Sequence, residues 1–134
     1  MIGIVIVAHG KLANEFISIT EFIIGKKSDV VAIPVDAQRS VEEMREEIAQ
    51  AIKMADKGKG VLILTDMFGG TPSNLVLSFL EKGKVEVLSG VNLPMLLKLS
   101  TCQDEKTLEE MCEFIKDYGR KNISLASEIL AQKK

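Results

Sequence analysis

Ile2-Gly3-Ile4-Val5-Ile6-Val7-Ala8 is an almost unbroken run of β-branched residues with no polar alternation. A strand with one wet face alternates, whereas a strand covered on both faces reads as continuous apolar sequence, and such strands belong to parallel sheets flanked by helices. The residues that follow change period. Leu12, Phe16, Ile19, Phe22 and Ile23 mark a helical stripe within residues 11–24, and Gly25 stands at the expected C′ position. Val30–Val35 reads as a second strand, placed at a sheet edge because Pro34 has no N–H to donate.

The alternation continues to the end of the chain. Ser40 and Glu43 have capping-box spacing, and the stripe Met44, Ile48, Ala51, Ile52, Ala55 follows before Gly58. Val61–Thr65 is a third strand. Thr71 and Pro72 form an N-cap and N1 pair for a helix running to about Leu80, and Val85–Leu88 is a fourth strand. Asn92 caps a helix from Leu93 to about Ser100. Thr107 and Glu110 repeat the capping box ahead of a helix closed by Gly119. Asn122–Ala126 alternates weakly and reads as a short last strand, and residues 127–134 carry no assignable pattern. No linker or repeat interrupts the 134 residues. The expectation is therefore one domain over residues 1–134. It is α/β and doubly wound, with a mainly parallel four-stranded sheet, helices on both faces and a short C-terminal strand.

Composition narrows the chemistry. A net charge of −2 gives no basic face for nucleic acid. Cys102 and Cys112 form no CxxC and read as reduced thiols of a cytosolic protein. No apolar run approaches the ~18 residues of a membrane span, and residues 1–9 lack the pattern of a signal peptide. No GxGxxG follows the first strand, and neither GxxxxGK[ST] nor GxSxG occurs, which argues against dinucleotide, P-loop and nucleophile-elbow chemistry. With 4% aromatic residues, a flavin sandwich is disfavoured. One histidine, without clustered cysteines, falls short of a transition-metal set. Any imidazole chemistry therefore belongs to His9.

Ligands of open α/β sheets bind at the carboxyl ends of the strands. His9-Gly10 follows the first strand, Asp66 with the loop Met67-Phe68-Gly69-Gly70-Thr71-Pro72-Ser73-Asn74 follows the third, and Gly90-Val91-Asn92-Leu93-Pro94 follows the fourth. Strands one and three are neighbours in most folds of this type, which sets His9 beside Asp66. A carboxylate accepting one ring N–H fixes the tautomer and leaves the other nitrogen as nucleophile, base or ligand. Amides near Gly10 and Lys11 at a helix start, and those of Gly69 and Gly70 beside the Thr71 hydroxyl, suit a phosphoryl group. Taken singly, each feature also has a structural reading: a hydrogen-bonded histidine, a capping aspartate, a glycine turn into a helix.

Together, the segments from Ile2 to Gly10, from Asp66 to Asn74 and from Gly90 to Met95 resemble the enzyme IIA domain of the mannose-type (mannose/fructose/sorbose) bacterial sugar phosphotransferase system. The resemblance spans almost the whole chain, in order. It implies that His9 is the phosphoryl acceptor through Nε2, that Asp66 holds the other ring nitrogen, and that Thr71 is the small hydroxyl residue near the phosphoryl group. Phe68 stands where other members carry Trp. Met67, Phe68 and Met95 are then candidates for partner docking, with core filling the competing reading for Met95. The resemblance further implies phosphoryl transfer from the phosphocarrier HPr to a IIB component, without metal or nucleotide cofactor, in a cytoplasmic protein peripheral to the membrane IIC and IID components. It implies a homodimer exchanging the segment Asn122–Ala126, and a free-standing IIA protein. Other readings remain open at this point: the phosphotransfer subunit of dihydroxyacetone kinase, which has a related fold, and a flavodoxin-like binding or regulatory module.

Overall fold

The computed structural model describes residues 1–102 and 105–132. The opening apolar run is strand β1 (Gly3–His9), whose Val5–Ala8 segment is wholly buried. It pairs in parallel with β2 (Val31–Val35) on one side and β3 (Val61–Thr65) on the other. β4 (Val85–Ser89) completes a four-stranded, all-parallel sheet of order β2-β1-β3-β4. Pro34 lies on an edge strand, where its missing N–H breaks no ladder bond, as the sequence requires.

Alternate residues of the strands feed two cores. Val5, Val7, Ile33, Val61 and Ile63 pack beneath α2 (Val41–Ala55) and α3 (Thr71–Leu77). Ile6, Ala8, Leu62 and Leu64 pack beneath α1 (Leu12–Ile24), α4 (Leu93–Thr101) and α5 (Leu108–Lys121). Covering on both faces accounts for the missing polar alternation in β1 and β3. Cys112 and Cys102 are free thiols. Burial, then the charges of Glu86 and Glu113, push the Cys112 thiol up to about 12, which keeps it protonated and unreactive.

Three helix starts are as the sequence reads them. Ser40, Asn92 and Thr107 each accept the backbone N–H three residues on, and Thr107 with Glu110 completes a reciprocal box. At Ser40 the box is half-made, because the Glu43 carboxylate turns to Arg39 instead. Two expectations change. α3 is capped by Gly70, so Thr71 is its first helical residue, and α3 stops at Leu77, with the chain turning through Phe79 and Leu80 on i→i+3 bonds. The expected strand Asn122–Ala126 is not formed in the single chain. Asn122 ends α5, and helix α6 (Ala126–Gln132) begins where the strand should finish. A strand needs a ladder partner, which this segment lacks, while Ala126, Glu128, Leu130, Ala131 and Gln132 are good helix formers. No residue of α6 is buried, so it shows no core stripe to read from sequence. Of the tail without an assignable pattern, Lys133 and Lys134 lie outside the described residues. Among the described residues no helix is long and apolar enough to cross a membrane.

Candidate functional site

The chain runs outward from β1 to β2, then returns to the far side of β1 for β3 and β4, so the strand order reverses between β1 and β3. That is where an open α/β sheet opens a crevice. The register Val7↔Thr65 sets the residues just beyond, His9 and Asp66, at the same carboxyl rim.

They are in contact. Asp66 Oδ2 accepts the His9 backbone N–H at 3.0 Å and lies 2.8 Å from His9 Nδ1. Asp66 Oδ1 accepts the Met67 N–H at 2.9 Å. Burial on its own pushes the Asp66 carboxyl up, but the His9 amide and ring and the Met67 amide together outweigh it and hold it below its ordinary value. Asp66 is thus a carboxylate and can only accept, which puts the shared proton on Nδ1. The other ring nitrogen, Nε2, has no hydrogen-bond partner among the described residues, and the His9 side chain is 51% exposed against 12% for Asp66. The pair presents an imidazole held at Nδ1 and open at Nε2.

The surrounding loops are shaped to this ring. A Cβ on Gly70 would lie 3.0 Å from His9 Cε1 and 3.5 Å from Nε2, so the glycine matters here for the room it leaves the ring rather than for its dihedral angles. Gly69, at φ +92, is the residue that needs left-handed backbone. Thr71 is exposed, and its hydroxyl has no hydrogen-bond partner among the described residues. Lys11 is the N-cap of α1 with φ −94 and ψ 6 and gives no side-chain cap. The first N–H that the helix satisfies is that of Glu15, bonded to Lys11 O. The helix therefore starts beside His9 with open amides and its positive dipole end.

Two expected roles are corrected. The Gly10 N–H already donates to Val35 O at 2.8 Å, so it is no free donor for an anion. Gly10 instead makes the turn, at φ +55, that swings the chain into α1. Met95 is only 4% exposed and packs so tightly on α5 that a Cβ at Gly119 would fall 2.2 Å from its terminal methyl. It is core, not a docking residue. Met67 and Phe68 are exposed on the loop after β3, 53% and 71%.

Other residues at this rim went unread. Thr65 ends a fully buried strand, and its hydroxyl donates to Ser89 Oγ at 2.9 Å, tying β3 to β4 directly behind Asp66. A lone hydroxyl closing an apolar strand was the available signal. Arg39 Nη1 donates to Pro34 O at 2.8 Å while its other nitrogens meet Glu47 and Glu43, fixing the loop after β2. No group of three or more His, Cys, Asp or Glu is placed to hold a metal among the described residues.

The family described as "PTS system fructose IIA component" matches residues 3–116. The chain belongs to this family, the mannose-type IIA components of the sugar phosphotransferase system. It is 29% identical over its full length to the fructose-specific EIIA component of Bacillus subtilis, covering 92% of that protein. It is 31% identical over 91% of its length to the mannose-specific EIIAB component of Escherichia coli K12, but spans only 38% of that longer protein. Among solved structures, EIIA from Streptococcus agalactiae superimposes with a TM-score of 0.81 at 33% identity, covering 96% of this chain and 99% of that one. The IIA protein associated with the fucose utilization operon of Streptococcus pneumoniae gives 0.83 at 25% identity, covering 96% and 95%.

Proposed function

We propose that this IIA component is a cytoplasmic phosphoryl carrier that accepts a phosphoryl group on His9 Nε2 from HPr and passes it to a IIB component. The observation that carries the reading is the 2.8 Å contact of His9 Nδ1 with Asp66 on a ring whose other nitrogen is open to solvent.

Nε2 attacks phosphorus in line with the donor. The Nε2–P bond forms as the donor's bond to phosphorus breaks, and the donor keeps that electron pair. The ring, already protonated at Nδ1, becomes cationic as Nε2 gives up its lone pair, and the Asp66 carboxylate 2.8 Å away stabilises that charge. No proton has to move. The three phosphoryl oxygens meet the open amides at the start of α1, the Gly69–Gly70 backbone and the Thr71 hydroxyl. Donation to IIB runs the same geometry backwards. Met67 and Phe68 supply the apolar part of a docking surface that must release its partner after each transfer.

The chain is further proposed to be a homodimer joined through its C-terminal segment. Ile123, Leu125 and Leu130 are 77%, 63% and 68% exposed there. Burying them against a second copy removes that apolar surface from water. The deciding assay incubates the protein with phosphoenolpyruvate, enzyme I and HPr. One acid-labile phosphate per chain, mapped to His9 and absent in His9→Ala, is the expected result. Phosphate on any other residue, or none, refutes the reading. Light scattering after gel filtration tests the dimer.

A further inference from the structure

A second site lies at the opposite end of the sheet, about 20 Å from His9 by the rise of seven β1 residues. It is a cavity of about 640 Å³ between the amino ends of β1 and β2 and helices α1, α4 and α5. That volume falls within the range of small-molecule pockets, ~300–1,000 Å³. Its walls include Ile2, Ile4, Ile17, Leu96, Leu99 and Met111.

Two features identify the class of occupant. First, two of the hydroxyls on the helical walls are already spent. The Thr20 hydroxyl donates to Phe16 O at 2.7 Å and the Ser100 hydroxyl to Leu96 O at 2.8 Å, so both donors are used within their own helices. A polyol laid along these helical walls would leave hydroxyls unpaired there, whereas an alkyl chain would not. Second, the rim is basic. Lys26 and Lys27 on the loop after α1, Lys57 and Lys59 on the loop after α2, and Lys106 face Glu21, Asp29 and Glu105. Among the described lining residues five lysines stand against three carboxylates. Lys26, Lys27, Lys57 and Lys59 make no ion pair among the described residues. Glu21 is turned inward onto the Ser28 amide at 2.8 Å, and Lys106 lies over the Phe114 ring at 4.8 Å.

We propose that this cavity binds an amphiphilic monoanion, a medium-chain alkyl carboxylate whose chain lies along the isoleucine and leucine walls and whose carboxylate meets the lysine rim. The site is independent of the phosphoryl-carrier reading.

Calorimetric titration of the full chain with decanoate tests it. Saturable binding of one molecule per chain is expected. Decanol, which has the same chain without the charge, and the double variant Lys57→Glu/Lys59→Glu should each weaken binding about tenfold. Leu99→Trp, which fills the cavity, should abolish it. Absence of saturable decanoate binding, or equal binding by decanol and by the charge-reversed protein, overturns the proposal. So does binding to anionic phospholipid vesicles without binding to monomeric decanoate. If Leu99→Trp fails to fold, the decanol and charge-reversal measurements still decide.

Discussion

Two kinds of helix start coexist in this molecule. Helices α2, α4 and α5 begin on Ser40, Asn92 and Thr107, each of whose side chains occupies an orphan amide. Helices α1 and α3, which begin on either side of His9, start on Lys11 and Gly70 and have no side-chain cap. A missing cap forgoes about 1 kcal/mol at Lys11 and only a few tenths at Gly70, since glycine is itself a fair N-cap. The difference separates structural from chemical use of the same backbone feature. At α2, α4 and α5 the sequence supplies the acceptor. At the rim that carries His9 no side chain takes that place, which on the proposed reading leaves it to the phosphoryl group.

The comparison can be broken at several points. The largest effect is expected from His9→Ala, which should eliminate acid-labile phosphate while circular dichroism and thermal midpoint stay near wild type. Retained phosphorylation would move the chemistry elsewhere. Asp66→Asn should leave the fold intact and slow transfer about 10- to 100-fold, the usual cost of losing a histidine-orienting carboxylate. Rapid-quench phosphorylation measures it, and a wild-type rate would remove Asp66 from the mechanism. Gly70→Ala places a methyl 3.0 Å from His9 Cε1, so the ring must shift by a few tenths of an ångström. Transfer should slow measurably, by less than the roughly 10²-fold that a 1 Å misplacement can cost. Thr107→Ala is the counterpart at a capped start. It should lower stability by about 1 kcal/mol, read in urea, with no change in transfer rate.

The smallest effect concerns pH. The folded-state pKa of Asp66 is depressed, so its contribution is fully present above the unfolded value of about 3.9 and is lost as pH falls through the folded value. Asp66→Asn should therefore lower stability slightly at neutral pH and flatten the acid limb, so that the variant and the wild type converge below about pH 4.

Most of the sheet was legible because its signals are local. The β1 run, Pro34 at an edge and the three side-chain caps follow from residue type and short spacing. The His9–Asp66 pair was also reachable, since both residues stand immediately after buried strands. What was not legible depends on distant partners. The Gly10 amide is taken by Val35, which only the β1–β2 register decides. Met95 lies in the first turn of α4 and reads as a rim residue until Gly119 of α5 is found against it. α6 has no buried residue and hence no periodic stripe, so a weak strand pattern won by default.

One oxygen, Asp66 Oδ2, takes both the main-chain and the ring hydrogen of the same histidine. The main-chain bond pins the carboxylate, and the pinned carboxylate holds the ring at Nδ1, so Nε2 keeps a single bearing. On the proposed reading, whatever brings the group and whatever carries it off must approach along that one line, so the two exclude each other and the exchange proceeds by turns.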